Sequence, residues 1–420
     1  MQAYQVGGWV RDTLLGLPVK DRDWVVVGET PASMQARGFK QVGGGFPVFL
    51  HPVTHEEYAL ARQERKIGVG HRGFACETRQ VTLEEDLSRR DLTINAMAMQ
   101  EDGTLVDPFG GREDLQARLL RHVSPAFAED PLRVLRVCRF HARFACQGFT
   151  IAPATLNLMQ EMVHNGDLAH LTPERVWLEV EKALNTASPA TFFQSMLACG
   201  ALSVVLPELA NLVGKSQPAR YHPEGDAWSH TLEVLNRVTV LTNLAPLRFA
   251  ALMHDIGKST TPAECLPHHH GHEERGVLLL QEVATRLRIP NNYLKLALLV
   301  TAHHGRYRHV PHMRPSSIVK LLTNLSPWQE DSLFNQFLLV CQADLAGREG
   351  EEVERGPFLQ RCLERCREVT AQPFLQQGLS GAAIGEAITR QRIRLVSQVV
   401  KEFFSTTAIK VLPHKCPDHC

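Results

Sequence analysis

Asp21 and Asp23 stand two residues apart, directly before the apolar run Trp24-Val-Val-Val27. Residues i and i+2 of a strand point to one face, so both carboxylates can lie side by side where a strand begins. Paired hard oxygen donors suit Mg²⁺ and leave coordination positions for substrate phosphates. Upstream, Gly7-Gly8-Trp-Val-Arg11-Asp12 offers backbone amides that a triphosphate can approach closely, with Gly8 and Arg11 as its contacts. A third carboxylate would complete a two-metal site. Glu57, on the expected neighbouring strand, is the candidate; a surface glutamate is the alternative reading. Arg90, in Arg89-Arg90-Asp91-Leu-Thr-Ile-Asn95, can present a cation to phosphate. Each feature alone is a common turn or solvated edge, but their order and close spacing point to phosphoryl transfer.

A second constellation lies in Glu129-Asp130-Pro-Leu-Arg133-Val-Leu-Arg136-Val-Cys-Arg139-Phe140. Asp130, Arg133, Arg136 and Arg139 recur every three residues and form one slowly rotating stripe of a helix. Cytosine and adenine both present an exocyclic amine donor beside a ring-nitrogen acceptor, and guanine and uracil reverse that pattern. An Asp acceptor beside an Arg donor, such as Asp130 with Arg133, can therefore pair with C or A and reject G and U. Arg136 and Arg139 can hold phosphates. The plainer reading is a solvated face with an i, i+3 ion pair.

The third constellation is spread more widely. Ala250-Ala-Leu-Met-His254-Asp255-Ile-Gly-Lys258 is an apolar segment ending in an adjacent His-Asp pair. His230 lies 24 residues before His254, and Asp344 lies 89 residues after Asp255. Together these four side chains make a mixed N/O donor set that suits a divalent transition metal activating water on a phosphate ester. His304 can assist at the phosphate. His268-His-His270-Gly-His272 is either a second histidine cluster near the metal or a polar loop.

The elements that must position these groups fall into two classes. Over the first ~110 residues short apolar runs alternate with turns; Trp24–Val27, Val48–Leu50 and Tyr58–Leu60 read as strands. Gly43-Gly-Gly45 reads as a turn, and Asp107-Pro-Phe-Gly-Gly111 as a turn closing an α/β or α+β head. From about Arg112 the pattern is helical. Pro131 opens a helix, and 183–206 and 231–244 carry helical periodicity. The looser stretch 213–226 reads as a boundary. The expected division is a head at 1–111, a middle helical domain at 112–220, a histidine-rich helical domain at 221–350 and a helical tail at 351–420.

The 420 residues carry 45 basic and 45 acidic side chains, so any RNA contact must come from local patches. One such patch runs from Arg112 to Arg143, with seven arginines against four acids. Ten cysteines without a CxxC pair read as reduced thiols. No apolar run approaches ~18 residues and the N-terminus lacks a signal-peptide core. The expectation is a cytoplasmic enzyme without a membrane span, a monomer or a homodimer.

The motifs GGxxRD, DRD, RRDLTIN, DPFGG and EDPLRVLRVxRF stand in the order seen in bacterial class II CCA-adding enzymes (tRNA nucleotidyltransferases), which the chain resembles. The ordered set H…HD…D resembles the HD phosphohydrolase superfamily, so the whole chain is similar to the multifunctional CCA proteins. The resemblance implies an α+β nucleotidyltransferase-superfamily head with a small mixed or antiparallel sheet, followed by all-α neck, body and HD domains, the neck and body at 112–220 serving nucleotide selection and tRNA binding. It implies template-free addition and repair of the CCA end of tRNA from CTP and ATP. Gly8, Arg11, Arg90, Arg136 and Arg139 would contact the nucleotide, Asp21 and Asp23 would hold Mg²⁺, and Asp130 with Arg133 would read C and A. The segment from Lys66 to Arg79 would match the family's loop used in switching from C to A. The HD half would act as phosphatase, 2′-nucleotidase and 2′,3′-cyclic phosphodiesterase with Ni²⁺ or another divalent transition metal at His230, His254, Asp255 and Asp344. Two other readings use the same residues: a bacterial poly(A) polymerase-like enzyme, and a metal phosphohydrolase whose N-terminal half binds RNA.

Overall fold

The computed structural model describes residues 1–19, 22–42, 48–66, 74–77, 81–220, 222–325, 333–346 and 354–410. Asp21, the Gly43–Gly45 triplet and most of the 66–79 segment lie outside the described residues. The chain divides into two compact units, 1–210 and 211–420.

The strands of the first unit are β1 (Gln2–Val6), β2 (Asp23–Val27), β3 (Lys40–Val42), β4 (Val48–Leu50), β5 (Glu57–Leu60), β6 (Gln63–Lys66), β7 (Phe74–Glu77), β8 (Ala98–Met99), β9 (Leu105–Val106), β10 (Leu119–Leu120) and β11 (Thr150–Ile151), the last two paired in parallel. Its helices are α1 (Gly8–Leu14), α2 (Pro31–Ala36), α3 (Leu83–Ser88), α4 (Gly111–Ala117), α5 (Leu132–Phe144), α6 (Pro153–His164), α7 (Pro173–Leu184), α8 (Pro189–Ala198), α9 (Ala201–Val205) and α10 (Pro207–Ala210). Seven strands form one sheet in the order β3-β4-β5-β2-β1-β8-β9, and β6 pairs with β7 as a separate ribbon. Only β2 and β5 pair in parallel within the large sheet; its other pairs are antiparallel. The expected mixed sheet is therefore present.

Alternation explains why β2 sits in the middle. Val25 joins Val6, Ala61, Leu87 and Ala98 in one core, while Trp24 and Val26 join Met34, Phe49, Tyr58 and Leu60 in the other. A strand buried on both faces must be apolar along its length, and Trp24-Val-Val-Val27 is. The periodicity of 183–206 is interrupted: α7 stops at Leu184, Pro189 opens α8, and α9 starts at Ala201. Pro189 lacks an amide hydrogen and cannot continue the preceding helix, although the apolar period runs on across it.

The second unit is helical: α11 (Ala227–Leu241), α12 (Ala245–Met253), α13 (His272–Leu287), α14 (Asn291–His309), α15 (Pro315–Leu325), α16 (Leu333–Leu345), α17 (Arg355–Arg367), α18 (Gln372–Gln376) and α19 (Ala382–Lys410). Asp226 caps α11 by accepting from the Ser229 amide at 2.8 Å. In α12 every residue from Leu247 to Met253 is buried, which marks a central helix surrounded by others. Among the described residues no helix is long and apolar enough to cross a membrane.

The segment after α12 passes very close to α13. A Cβ at Gly257 would lie 1.9 Å from the His272 carbonyl oxygen and 2.6 Å from the Gly276 amide nitrogen, both backbone. Gly257→Ala is therefore expected to destabilise the protein by about 1–3 kcal/mol or more, because backbone cannot yield as a side chain does. Urea unfolding monitored by far-UV dichroism checks this, and an unchanged midpoint contradicts the packing.

Candidate functional site

The first cluster is assembled on the central strands. Asp23 begins β2, is exposed, and lies directly beside Glu57 in the parallel β2–β5 register. Register partners share a face, so the two carboxylates stand together on the side of the sheet opposite Trp24 and Tyr58. Two neighbouring exposed oxygen donors at the starts of two central strands fit Mg²⁺.

Gly7 connects β1 to α1 with φ 67° and ψ −128°, a conformation that favours glycine. A Cβ there would lie 3.0 Å from Arg90 Nη1, so the Gly7-Gly8 turn and Arg90 are immediate neighbours. Arg90 is held by Asp86 at 3.2 Å, and its Nε is buried with no hydrogen-bond partner among the described residues.

Arg11 is only 2% exposed. Its guanidinium donates to Asn95 Oδ1 at 2.5 Å and to Asp12 at 2.8 Å, and lies over the rings of Phe140 and Phe144. Burial lowers its pKa, with the Asp12 bond opposing. The expected phosphate clamp is thus turned into the protein, one turn below Gly8.

The arginine stripe is equally occupied. Arg136 pairs with Asp91 at 2.7 Å, and Asp91 also accepts from Asn95 at 2.9 Å. Arg139 pairs with Glu179 of α7 at 2.5 Å. Asp130 accepts from Arg175 of α7 at 2.8 Å. Arg133 donates to the carbonyl oxygens of Ala126 and Arg89, each at 2.6 Å. Asp130 and Arg133 therefore take different partners. The stripe is a braced wall rather than a solvated face, and Asp130 keeps a quarter of its side chain exposed. Asn95 stands inside the RRDLTIN motif; Arg175 and Glu179 carry no signal, since Pro173–Leu184 reads as an ordinary amphipathic helix.

The second cluster lies wholly in the second unit. It joins His230 of α11, His254 and Asp255 at the end of α12, His272 at the start of α13, His304 of α14 and Asp344 of α16. All four members expected from H…HD…D are brought together. His230 Nε2 lies 2.9 Å from Asp344 and 3.8 Å from Asp255. His254 Nε2 lies 3.1 Å from Asp255 Oδ2, and His272 and His304 Nε2 lie 3.4 and 3.3 Å from Asp255 Oδ1. His304, expected at the phosphate, sits inside the donor group itself. His272 joins it, whereas His269 turns to Thr261 and the Ser216 carbonyl.

The ring tautomers explain what such a cluster is for. His254, His272 and His304 each place Nδ1 on a backbone carbonyl, at Ala251, His269 and Val300. An imidazole that donates from Nδ1 carries its lone pair on Nε2. Three Nε2 atoms then face one carboxylate, acceptor against acceptor, and His254 Nε2 and Asp255 Oδ1 are buried without a hydrogen-bond partner. Only a cation relieves that arrangement, and the N/O donor set fits a divalent transition metal. Without a metal, a proton takes that place at His304. Burial pulls His304 down, but the bond and charge of Asp255 outweigh it and hold the imidazole up to about 9. Burial pulls His272 to about 4. Burial opposes the Asp255 charge, yet Lys258, at 2.6 Å, and His254 keep the carboxylate well below its usual range.

Residues 3–121 match the family described as "Poly A polymerase head domain", 148–212 that described as "Probable RNA and SrmB-binding site of polymerase A", and 227–326 the HD domain. A Multifunctional CCA protein of Thioalkalivibrio sulfidiphilus is 53% identical over 407 residues, spanning 96% of this chain and 100% of the relative. The solved complex of a CCA-adding enzyme with ATP has the same fold, with a TM-score of 0.64 at 21% identity, over 99% of this chain and 92% of that one. The Thermotoga maritima CCA-adding enzyme complexed with tRNA gives 0.62 at 20% identity, over 97% and 91%. The chain belongs to the multifunctional CCA protein family, nucleotidyltransferases that carry an HD phosphohydrolase domain.

Proposed function

We propose that this chain adds and repairs the 3′-terminal CCA of tRNA from CTP and ATP without a nucleic-acid template. The observation that carries the proposal is the side-by-side placement of Asp23 and Glu57 next to the Gly7–Arg90 corner. Asp21, Asp23 and Glu57 would hold Mg²⁺, which supplies charge neutralisation at the departing pyrophosphate and activation of the terminal ribose hydroxyl. Gly8, Arg11, Arg90, Arg136 and Arg139 line or brace the nucleotide pocket. Asp130 offers the acceptor, and Arg133, with five N–H groups, offers the donor that C and A require. The carbonyl bonds on Arg133 and the Arg175 bond on Asp130 hold both groups in place before a base arrives, which favours selection by fixed geometry.

The HD domain hydrolyses phosphate esters in this reading, as phosphatase, 2′-nucleotidase and 2′,3′-cyclic phosphodiesterase. His230, His254, Asp255 and Asp344, with His272 and His304 beside them, would hold Ni²⁺ or another divalent transition metal. The regions 1–111, 112–220, 221–350 and 351–420 would serve as head, neck and body, HD domain and tail.

The match of residues 3–121 to a poly(A) polymerase head supports a second reading, in which ATP alone is used. Transcribed tRNA lacking CCA, incubated with each nucleoside triphosphate, separates them. CTP alone is expected to extend the end by two residues, and CTP with ATP to complete CCA and stop. Long A tracts with no use of CTP would overturn the first reading.

A further inference from the structure

The loop before α11 contains His222-Pro-Glu224-Gly-Asp226, in a stretch whose composition marks a domain boundary. Its contacts are those of a support. Lys215 Nζ donates to the Thr261 carbonyl at 2.7 Å, and the Asp226 carboxylate accepts from the Gly214 amide at 2.7 Å. Ser216 accepts from His269 at 3.0 Å, and Gln217 Oε1 accepts from the Lys258 ammonium that also bonds Asp255.

Glu224 reaches furthest. One oxygen, Oε1, lies 2.6 Å from His230 Nδ1 and 2.9 Å from His222 Nδ1. The opposite nitrogen of the same His230 ring faces Asp344. His254, His272 and His304 place Nδ1 on neutral backbone carbonyls; His230 places it on a carboxylate. A carboxylate fixes the tautomer with the lone pair on Nε2, sets the ring plane, and makes that nitrogen a stronger donor than a carbonyl does. His222 stands edge-on to His230, with ring centroids 4.8 Å apart, and steadies the shared oxygen from the other side.

We infer that Glu224 is a positioning residue of the HD metal centre, acting through His230. It touches neither metal nor substrate and sets the strength of one ligand. The inference rests on the reading of the histidine–aspartate cluster as a metal site.

The test uses the full chain and two probes, Ni²⁺ and Co²⁺, with affinity measured by chelator competition. Glu224→Ala is expected to bind Ni²⁺ about 10- to 100-fold more weakly. Glu224→Gln can still accept from Nδ1–H but lacks the charge, and is expected to lose several-fold, with a shifted absorption band for bound Co²⁺. CTP incorporation into tRNA should be unchanged in both, which reports folding independently of the HD site. Wild-type Ni²⁺ affinity in Glu224→Ala overturns the inference. If that variant does not fold, the glutamine variant decides, and wild-type affinity with an unshifted Co²⁺ band overturns it equally. His254→Ala is the control for the underlying reading. Unchanged Ni²⁺ binding in that variant would sink the metal site itself, whereas loss there with wild-type Glu224 variants would sink only the positioning role.

Discussion

Asp23→Ala is expected to lower CTP and ATP addition to tRNA by roughly 10³-fold or more, while hydrolysis of a simple phosphodiester by the HD domain stays at the wild-type rate. Loss of a carboxylate that holds a catalytic cation removes several kcal/mol of charge stabilisation, and about 4 kcal/mol corresponds to roughly 10³ in rate. The fold should not suffer. Asp23 is exposed, and the backbone register with Val6 and Glu57 sets its place in the sheet. Exposed substitutions of this kind usually change stability by about 0.5 kcal/mol or less. Single-turnover incorporation of labelled CTP measures the effect, and Asp23→Asn should match the alanine variant because the charge, not the shape, is lost. Retained addition in both variants would favour the reading in which the N-terminal half only binds RNA.

Much of this site is legible from local pattern, because local pattern encodes it. A short apolar run between turn residues gave β2, and alternation placed Asp23 on the face away from Trp24. Pro131 and the apolar period gave α5 and its arginine stripe. The stripe's meaning is another matter. Whether Arg139 meets water or Glu179 depends on a residue forty positions away, on a helix whose charges look like any solvated face. Arg11 shows the same limit. Its spacing from Gly8 suits a phosphate clamp, yet Asn95, Phe140 and Phe144 enclose it, and none of these is near it in sequence.

The histidine cluster divides along the same line. H…HD…D is legible because two histidines and two aspartates in this fixed order, with an adjacent pair, are uncommon by chance. His272 is not separable from His268, His269 and His270 until α13 is known to begin there, with Nδ1 of His272 bonded to the His269 carbonyl. The loop 213–226 is legible only as polar and glycine-bearing, which suits a linker. Its role depends on where Glu224 ends up after the chain folds back over α11.

Removing the Asp255 charge should abolish HD hydrolysis and leave nucleotide addition intact, but Asp255→Asn and His254→Ala should differ in stability. Asp255 is the hub. Its Oδ2 accepts from Lys258 and faces His254, and its Oδ1 faces His272 and His304. Asparagine there leaves the buried Lys258 ammonium without its carboxylate, and breaking a buried pair typically costs about 3–5 kcal/mol. His254 is different. Its Nδ1 bonds the Ala251 carbonyl and its Nε2 lies 3.1 Å from Asp255 Oδ2, an oxygen that keeps Lys258 as its partner, so truncation leaves the buried Lys258–Asp255 pair intact in the metal-free protein. His254→Ala is therefore expected to lose hydrolysis of a chromogenic phosphodiester by about 10³-fold or more, the loss of metal-supplied charge stabilisation, while unfolding close to wild type once the wild-type protein has been stripped of metal. Without that stripping, the wild type should unfold later than His254→Ala, since a ligand bound only to the folded state adds stability in proportion to the logarithm of its concentration. Chelator treatment should erase the difference. A His254→Ala protein that keeps its hydrolytic rate, or a wild type whose unfolding ignores both added Ni²⁺ and chelator, would mean that the acceptor-lined cluster is held together by protons alone.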